Sequence, residues 1–246
     1  PPPPPFQAED GIRDIHCSLV GSEMCIRDSL ATLLHDVVVL SVKPQLMQTV
    51  CTQLASSTHV LNPLYVSIAA GIRSADIARW LGNDAAVVRC MPNTPALIQC
   101  GATALYANKT VTEMQKQLAD EILHAVGITT WVEDEDLLDV VTALSGSGPA
   151  YFFLLMEAMQ KAAAKLGLDK EIAARLTLQT ALGAARMADE SELDVEQLRT
   201  RVTSKGGTTA AAIASFEHDD FHNNVNRALQ AAYNRSRELA DELGED

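Results

Sequence analysis

Residues 36–45 read DVVVLSVKPQ. Residues 37–42 are apolar except at Ser41 and rich in branched side chains. That is how a strand reads when both its faces are buried in a parallel sheet. Lys43-Pro44 closes the run, because proline gives no N–H to a ladder and its fixed φ suits a first helical turn. The spacing predicts a helix over residues 45–54.

The same alternation continues downstream. Further strands are predicted over residues 65–69, 85–90, 101–107 and 128–132. Between them, Ser74 is the expected N-cap of a helix ending before Gly82. Thr110-Val111-Thr112-Glu113 has the spacing of a capping box, with Met114, Leu118, Ile122 and Ala125 on one face of the helix that follows. Gly127 stops it. Strands alternating with helices predict an α/β fold with a mostly parallel, doubly wound sheet. After the acidic stretch at 133–136 the pattern is helical only. One helix over residues 151–166 is apolar on nearly every side. Asp169 caps the next, Asp194 with Gln197 marks another start, and Phe221, Val225, Leu229, Ala232, Ser236, Leu239 and Leu243 form the face of a long last helix. A helix without a polar face must be covered all round, which points to a second subunit. The expected division is a non-native or disordered leader over 1–29, a truncated dinucleotide-binding domain over 30–133, and a helical dimerisation and substrate domain over 134–246.

Composition narrows the function. The chain has 246 residues, 47% hydrophobic and 21% charged, a globular balance. Its net charge of −13 repels nucleic acid and anionic membranes, and 4% aromatics is too few for stacking on bases. An anionic substrate therefore needs a local device such as a helix N-terminus. The cysteines, at 17, 25, 51, 90 and 100, form neither a disulfide framework nor a zinc pattern, which fits a reducing, cytoplasmic setting. Uninterrupted apolar runs fall short of the roughly 20 residues a membrane helix needs. His35, His59, His124, His218 and His222 are scattered, and no nucleophile–base pair or carboxylate dyad is evident.

Two glycine motifs carry the chemistry. VTSKGGTT, over residues 202–209, precedes a predicted helix. Glycines let the backbone approach a ligand, the helix N–H groups point back at the loop, and Ser204, Thr208 and Thr209 add hydroxyls. An ordinary Gly-Gly turn with threonine as N-cap explains the spacing equally well. SGSGPAY, over residues 145–151, imitates a dinucleotide fingerprint. Tyr151 stands where a small residue is needed, so the motif reads as a close-packed break between helices. At the strand ends, Val42-Lys43-Pro44, Ala69-Ala70-Gly71 and Met91-Pro92-Asn93 are small or rigid, as a ligand-bearing carboxyl edge requires. Lys43 alone would count as a solvated lysine.

Together, DVVVLSVKPQ, VSIAAGI, RCMPNTPALI, ALSGSGPAYFF and VTSKGGTT resemble pyrroline-5-carboxylate reductases, in that family's order, from about Leu30 to Glu242. The resemblance implies a Rossmann-like domain that binds NADPH or NADH, followed by an all-α dimerisation domain, with dimers assembling further into decamers. It implies reduction of Δ1-pyrroline-5-carboxylate to L-proline, the last step of proline biosynthesis. Val42, Lys43 and Pro44 would line the cofactor site, with Ala70 and Asn93 nearby. Ser204 and the N–H groups of Gly207 and Thr208 would hold the substrate carboxylate. Thr209 would bond the ring nitrogen as the catalytic contact, and Glu135 would lie near the substrate. No metal is implied.

The chain departs from the pattern at its start. Residues 6–29 resemble translated sequencing-adapter tails and occupy the place of the family's first strand and glycine-rich turn. Loss of that unit predicts weak cofactor binding and a bare strand edge. Lys205 stands where many relatives have proline. Two alternatives follow: a cofactor-deficient helical dimer that binds proline-like ligands, and a β-hydroxyacid-type dehydrogenase using Lys161 or Lys165.

Overall fold

The computed structural model describes residues 17–20, 36–57, 63–82 and 84–244; the rest of the leader expected over 1–29 lies outside them. Among the described residues, six strands form one sheet: β1 (Cys17–Val20), β2 (Val37–Leu40), β3 (Leu64–Ser67), β4 (Ala86–Met91), β5 (Gly101–Ala107) and β6 (Gly127–Trp131). They lie side by side in chain order. Only the β4–β5 pair is antiparallel. The mostly parallel sheet expected from the alternating pattern is therefore present.

Two expectations for the start need correction. Residues 17–20 show no strand period in the sequence, yet their backbone pairs with β2, Cys17 opposite Val37 and Val20 opposite Leu40. The edge of β2 expected to be bare is thus occupied. Four residues are too few for a period to show, but enough for a parallel ladder to form.

Residue alternation assigns the core to two faces. Val38, Leu40, Tyr65 and Val87 pack with Met47, Cys51, Leu54 and Ile77. These last four come from the helices α1 (Met47–Ser57) and α2 (Ser74–Leu81). Val37, Val39, Leu64, Val66, Val88 and Cys90 point to the other face, against Ala119 and Leu123 of α3 (Glu113–His124). Helices on both faces are why VVVL carries no polar residue. The first helical turn is a 3-10 turn at Pro44–Leu46, which Lys43 caps.

The capping box sits two residues later than the spacing suggests. Thr112 accepts from Gln115 N, and the Gln115 side chain accepts from Thr112 N at 2.9 Å. The Thr110 hydroxyl is directed instead to the Ala85 carbonyl, to which it donates at 2.8 Å.

Beyond β6, α4 (Leu137–Val141) runs into a π-helical stretch, Thr142–Gly146, and then α5 (Gly148–Lys165). The expected break at Ser-Gly-Ser-Gly is therefore one wide turn, closed by Ser147 N–H donating to Thr142 O at 2.8 Å. The Met91 methyl lies over Gly146: a Cβ there would sit 2.5 Å from Met91 Cε, so a larger residue would displace that side chain. The remaining helices are α6 (Lys170–Glu190), α7 (Val195–Arg201), α8 (Thr208–His218) and α9 (Phe221–Gly244). Asp169 and Asp194 cap α6 and α7, as their sequence positions predict.

The chain divides into two compact units, one running to Ser147 and resuming at Ala232, the other spanning Gly148–Ala231. The expected boundary at 133/134 falls earlier, because Leu138, Asp139 and Ala143 are buried in the first unit. That unit also takes the end of α9: Ser236 and Ala240 are buried, and Leu243 packs on the α1–α2 side of the core.

The second unit is helical, and much of its apolar surface is uncovered in the single chain. Phe152, Phe153 and Leu154 on α5 are 64%, 63% and 66% exposed. The helical span Leu137–Lys165 contains 18 consecutive residues of mean hydropathy 1.3, enough by length and composition alone to cross a membrane. Counting uninterrupted apolar runs misses this, because leucines, phenylalanines, methionines and alanines sustain the average across the few polar residues between them.

Candidate active site

The glycine loop opens α8. Gly206 has φ +75°, a conformation that favours glycine, and Gly207 is the N-cap with extended backbone. The Gly207 N–H donates to Ser204 O at 3.0 Å. The family resemblance gives that N–H to the substrate; here it closes the turn instead. The first α8 backbone bond is Ala211 N–H to Gly207 O, at 3.2 Å. The N–H groups of Thr208, Thr209 and Ala210 belong to the first turn and have no acceptor within the helix. They converge, with the positive end of the helix dipole, on the space before the loop. Gly207 keeps that approach narrow but open: a Cβ there would meet Ser204 Oγ at 2.6 Å. Ser204, Lys205 and Thr208 are exposed and Thr209 is half-buried.

In the first unit, the parallel register sets Leu40, Ser67 and Arg89 side by side. The segments after β2, β3 and β4 therefore leave the sheet from one carboxyl edge. Val42 is buried, while Lys43 is exposed and has no ion-pair partner among the described residues. Ala70 is half-buried. The Gly71 φ is +76°, and a Cβ there would press on Leu239 Cβ at 3.3 Å. Asn93 uses its amide within the fold: Nδ2 donates to Ser145 O at 3.1 Å, and Oδ1 accepts from Ala102 N at 2.9 Å. It ties the loop after β4 to the π-helical turn and to the start of β5.

Glu135 has partners other than those expected of a substrate contact. Its carboxylate accepts from Ser74 N and Ser74 Oγ, each at 2.7 Å, and from Arg89 Nη1 at 3.1 Å. It does for α2 what a capping side chain does, so Arg73, in extended backbone, is the N-cap rather than Ser74. Arg73 in turn pairs with Asp136 and, at 3.4 Å, with Asp139. Asp139 is 1% exposed and accepts from Ser236 Oγ at 2.7 Å. Burial opposes the Arg73 cation, but its hydrogen bond to Asp136 and the fields of Asp136, Asp139 and Glu135 outweigh this and raise its pKa. Burial, with the nearby Glu135 and Asp134, also raises that of Tyr106.

Sequence reading misses this network, although one signal is present. Arg89 lies inside the otherwise apolar strand AVVRCM and is 2% exposed, and a buried guanidinium demands a partner. Lys161, the candidate proton donor of the dehydrogenase alternative, pairs with Glu157 one turn away on the surface of α5.

A family profile described as pyrroline-5-carboxylate reductase dimerisation matches residues 135–239. The exposed apolar face of α5 lies within that match, and a dimerisation segment implies a homo-oligomer. The pyrroline-5-carboxylate reductase of Pseudomonas aeruginosa is 58% identical over 212 residues, 85% of this chain and 77% of the relative. The Coxiella burnetii enzyme structure matches with a TM-score of 0.84 at 45% identity, over 91% of this chain and 88% of that one. The Plasmodium falciparum enzyme, solved with NADP bound, matches with a TM-score of 0.79 at 31% identity, over 87% and 80%. Fold, relatives and dimerisation segment agree. The chain belongs to the pyrroline-5-carboxylate reductase family, oxidoreductases of proline biosynthesis.

Proposed function

We propose that the loop before α8 binds the carboxylate of Δ1-pyrroline-5-carboxylate and that the carboxyl edge of β2–β4 binds NADPH or NADH. The first-turn N–H groups of Thr208, Thr209 and Ala210, facing outward beside the Ser204 hydroxyl, carry the substrate assignment. Gly207 contributes by lacking a side chain, Thr208 by its N–H, and Ser204 by its hydroxyl. Thr209 hydrogen-bonds the ring nitrogen and holds the proton there, which keeps the C=N carbon electron-poor.

The cofactor edge fits its ligand on two observations. Lys43 is a cation without an ion-pair partner among the described residues, suited to a phosphate, and Ala70 puts only a methyl group where a flat ring must approach. Val42 and Pro44 flank the same segment, and Asn93 fixes the neighbouring one. When bound, the reduced nicotinamide supplies the hydride that turns the protonated imine into the amine of proline. The residues bind, orient and exclude water, and no strong base is needed. We read the oligomer as a homodimer at least, working in the cytoplasm, where the free thiols of Cys51, Cys90 and Cys100 stay reduced.

Steady-state kinetics of Thr209→Val test the reading. The expected result is a loss of about a hundredfold in kcat with an unchanged melting temperature. Wild-type turnover in the folded variant contradicts the role of Thr209.

A further inference from the structure

We infer that Glu135 is a positioning residue for the cofactor loop, acting through Ser74 rather than touching the substrate. The loop over residues 69–73 leaves β3 and enters α2, and Glu135 fastens its far end twice, at the Ser74 N–H and at the Ser74 hydroxyl. The same carboxylate is the partner of Arg89, which lies in β4 opposite Ser67, the last residue of β3. One side chain thus joins the strand beside β3 to the start of the helix after the loop.

The rest of the loop is held from the same side. Arg73 reaches Asp136 and Asp139, within five residues of Glu135, and Asp139 is bonded to Ser236 on α9. Leu239, one turn further along α9, backs Gly71. Arg73, Arg89 and the positive end of α2 face the part-buried Glu135 and the buried Asp139, with the exposed Asp136 at the edge. Burying such a network stabilises little compared with apolar packing. Its geometric effect is larger: the loop carrying Ala70 has fixed points at Gly71, Arg73 and Ser74 and little freedom between them.

This inference rests on the reading that Ala70 borders the cofactor, so the experiment tests the two separately. NADP+ titrations and steady-state kinetics are run on the full chain with Glu135→Gln, Ser74→Ala, Ser74→Thr and Ala70→Val. Glu135→Gln is expected to raise Kd and KM for the cofactor about tenfold, as for a lost charged hydrogen bond. KM for pyrroline-5-carboxylate at saturating cofactor should stay unchanged. Ser74→Ala should weaken cofactor binding in the same direction, and Ser74→Thr, which keeps the hydroxyl, should restore it. Ser74→Ala is the milder change and serves if Glu135→Gln does not fold. Weakened binding in Ala70→Val alone, with Glu135→Gln and Ser74→Ala like wild type, overturns the inference and leaves the cofactor reading standing. Unchanged binding in Ala70→Val overturns the cofactor reading itself. A raised substrate KM in Glu135→Gln with unchanged cofactor Kd returns Glu135 to the substrate.

Discussion

Single residues decide where this chain can react. Burial pushes the Cys51 thiol up to about 12 and raises Cys90 further, whereas Cys100 is exposed. A thiol whose pKa is raised is almost wholly protonated at pH 8, and the protonated form is a poor nucleophile. Peptide mapping after brief maleimide treatment at pH 8 should therefore find Cys100 labelled and Cys51 and Cys90 labelled only after unfolding. Early labelling of Cys51 would show that the α1 side of the core opens. At Gly207 the deciding feature is an absent atom. Gly207→Val places a side chain against Ser204 Oγ and should abolish measurable proline binding by calorimetry; unchanged affinity would contradict the proposed carboxylate approach. The roles of Gly206 and Gly207 are open in the sequence, since a plain turn gives the same spacing. The geometry separates them: φ favours glycine at 206, and a Cβ at 207 would crowd the Ser204 hydroxyl.

At the level of elements, ends are harder to read than middles. β2 and α2 stand where their patterns put them, because burial on both faces and an amphipathic period are properties of many residues together. Capping depends on one hydroxyl, and two threonines compete for it. Thr112 takes the cap, while the Thr110 hydroxyl donates to the Ala85 carbonyl, a contact between residues 25 apart that no local window contains. Thr112→Ala should cost α3 about 1 kcal/mol, visible as a lower melting temperature, and an unchanged transition would show the cap to be dispensable. The π-helical stretch is likewise hidden from the sequence, since it shows only in the backbone bond from Ser147 N–H to Thr142 O and in long-range contacts such as Met91 over Gly146. Wide turns of this kind occur often at functional sites, and this one receives the Asn93 amide through Ser145 O.

For the whole molecule, the apolar surface is the dominant fact. Phe152, Phe153 and Leu154 cannot stay in water at this exposure without driving association. An all-round apolar helix is legible in the sequence for the same reason, and on its own it points to a second copy of the chain. Phe153→Glu should lower the oligomeric state in sedimentation velocity, and a variant that sediments as wild type would place the interface elsewhere. The pairing of residues 17–20 with β2 is not legible in this way, because a ladder of four residues is made by backbone groups and leaves no pattern in the side chains. The assignment as a whole depends on the start of α8 holding a small carboxylate. A crystal structure with L-proline and NADP+ tests that directly. It should place the proline carboxylate within hydrogen-bond reach of the Thr208 and Thr209 N–H groups and the Ser204 hydroxyl, with the ring nitrogen at Thr209. Proline bound away from that loop, or the loop closed against protein with its N–H groups satisfied, would contradict it.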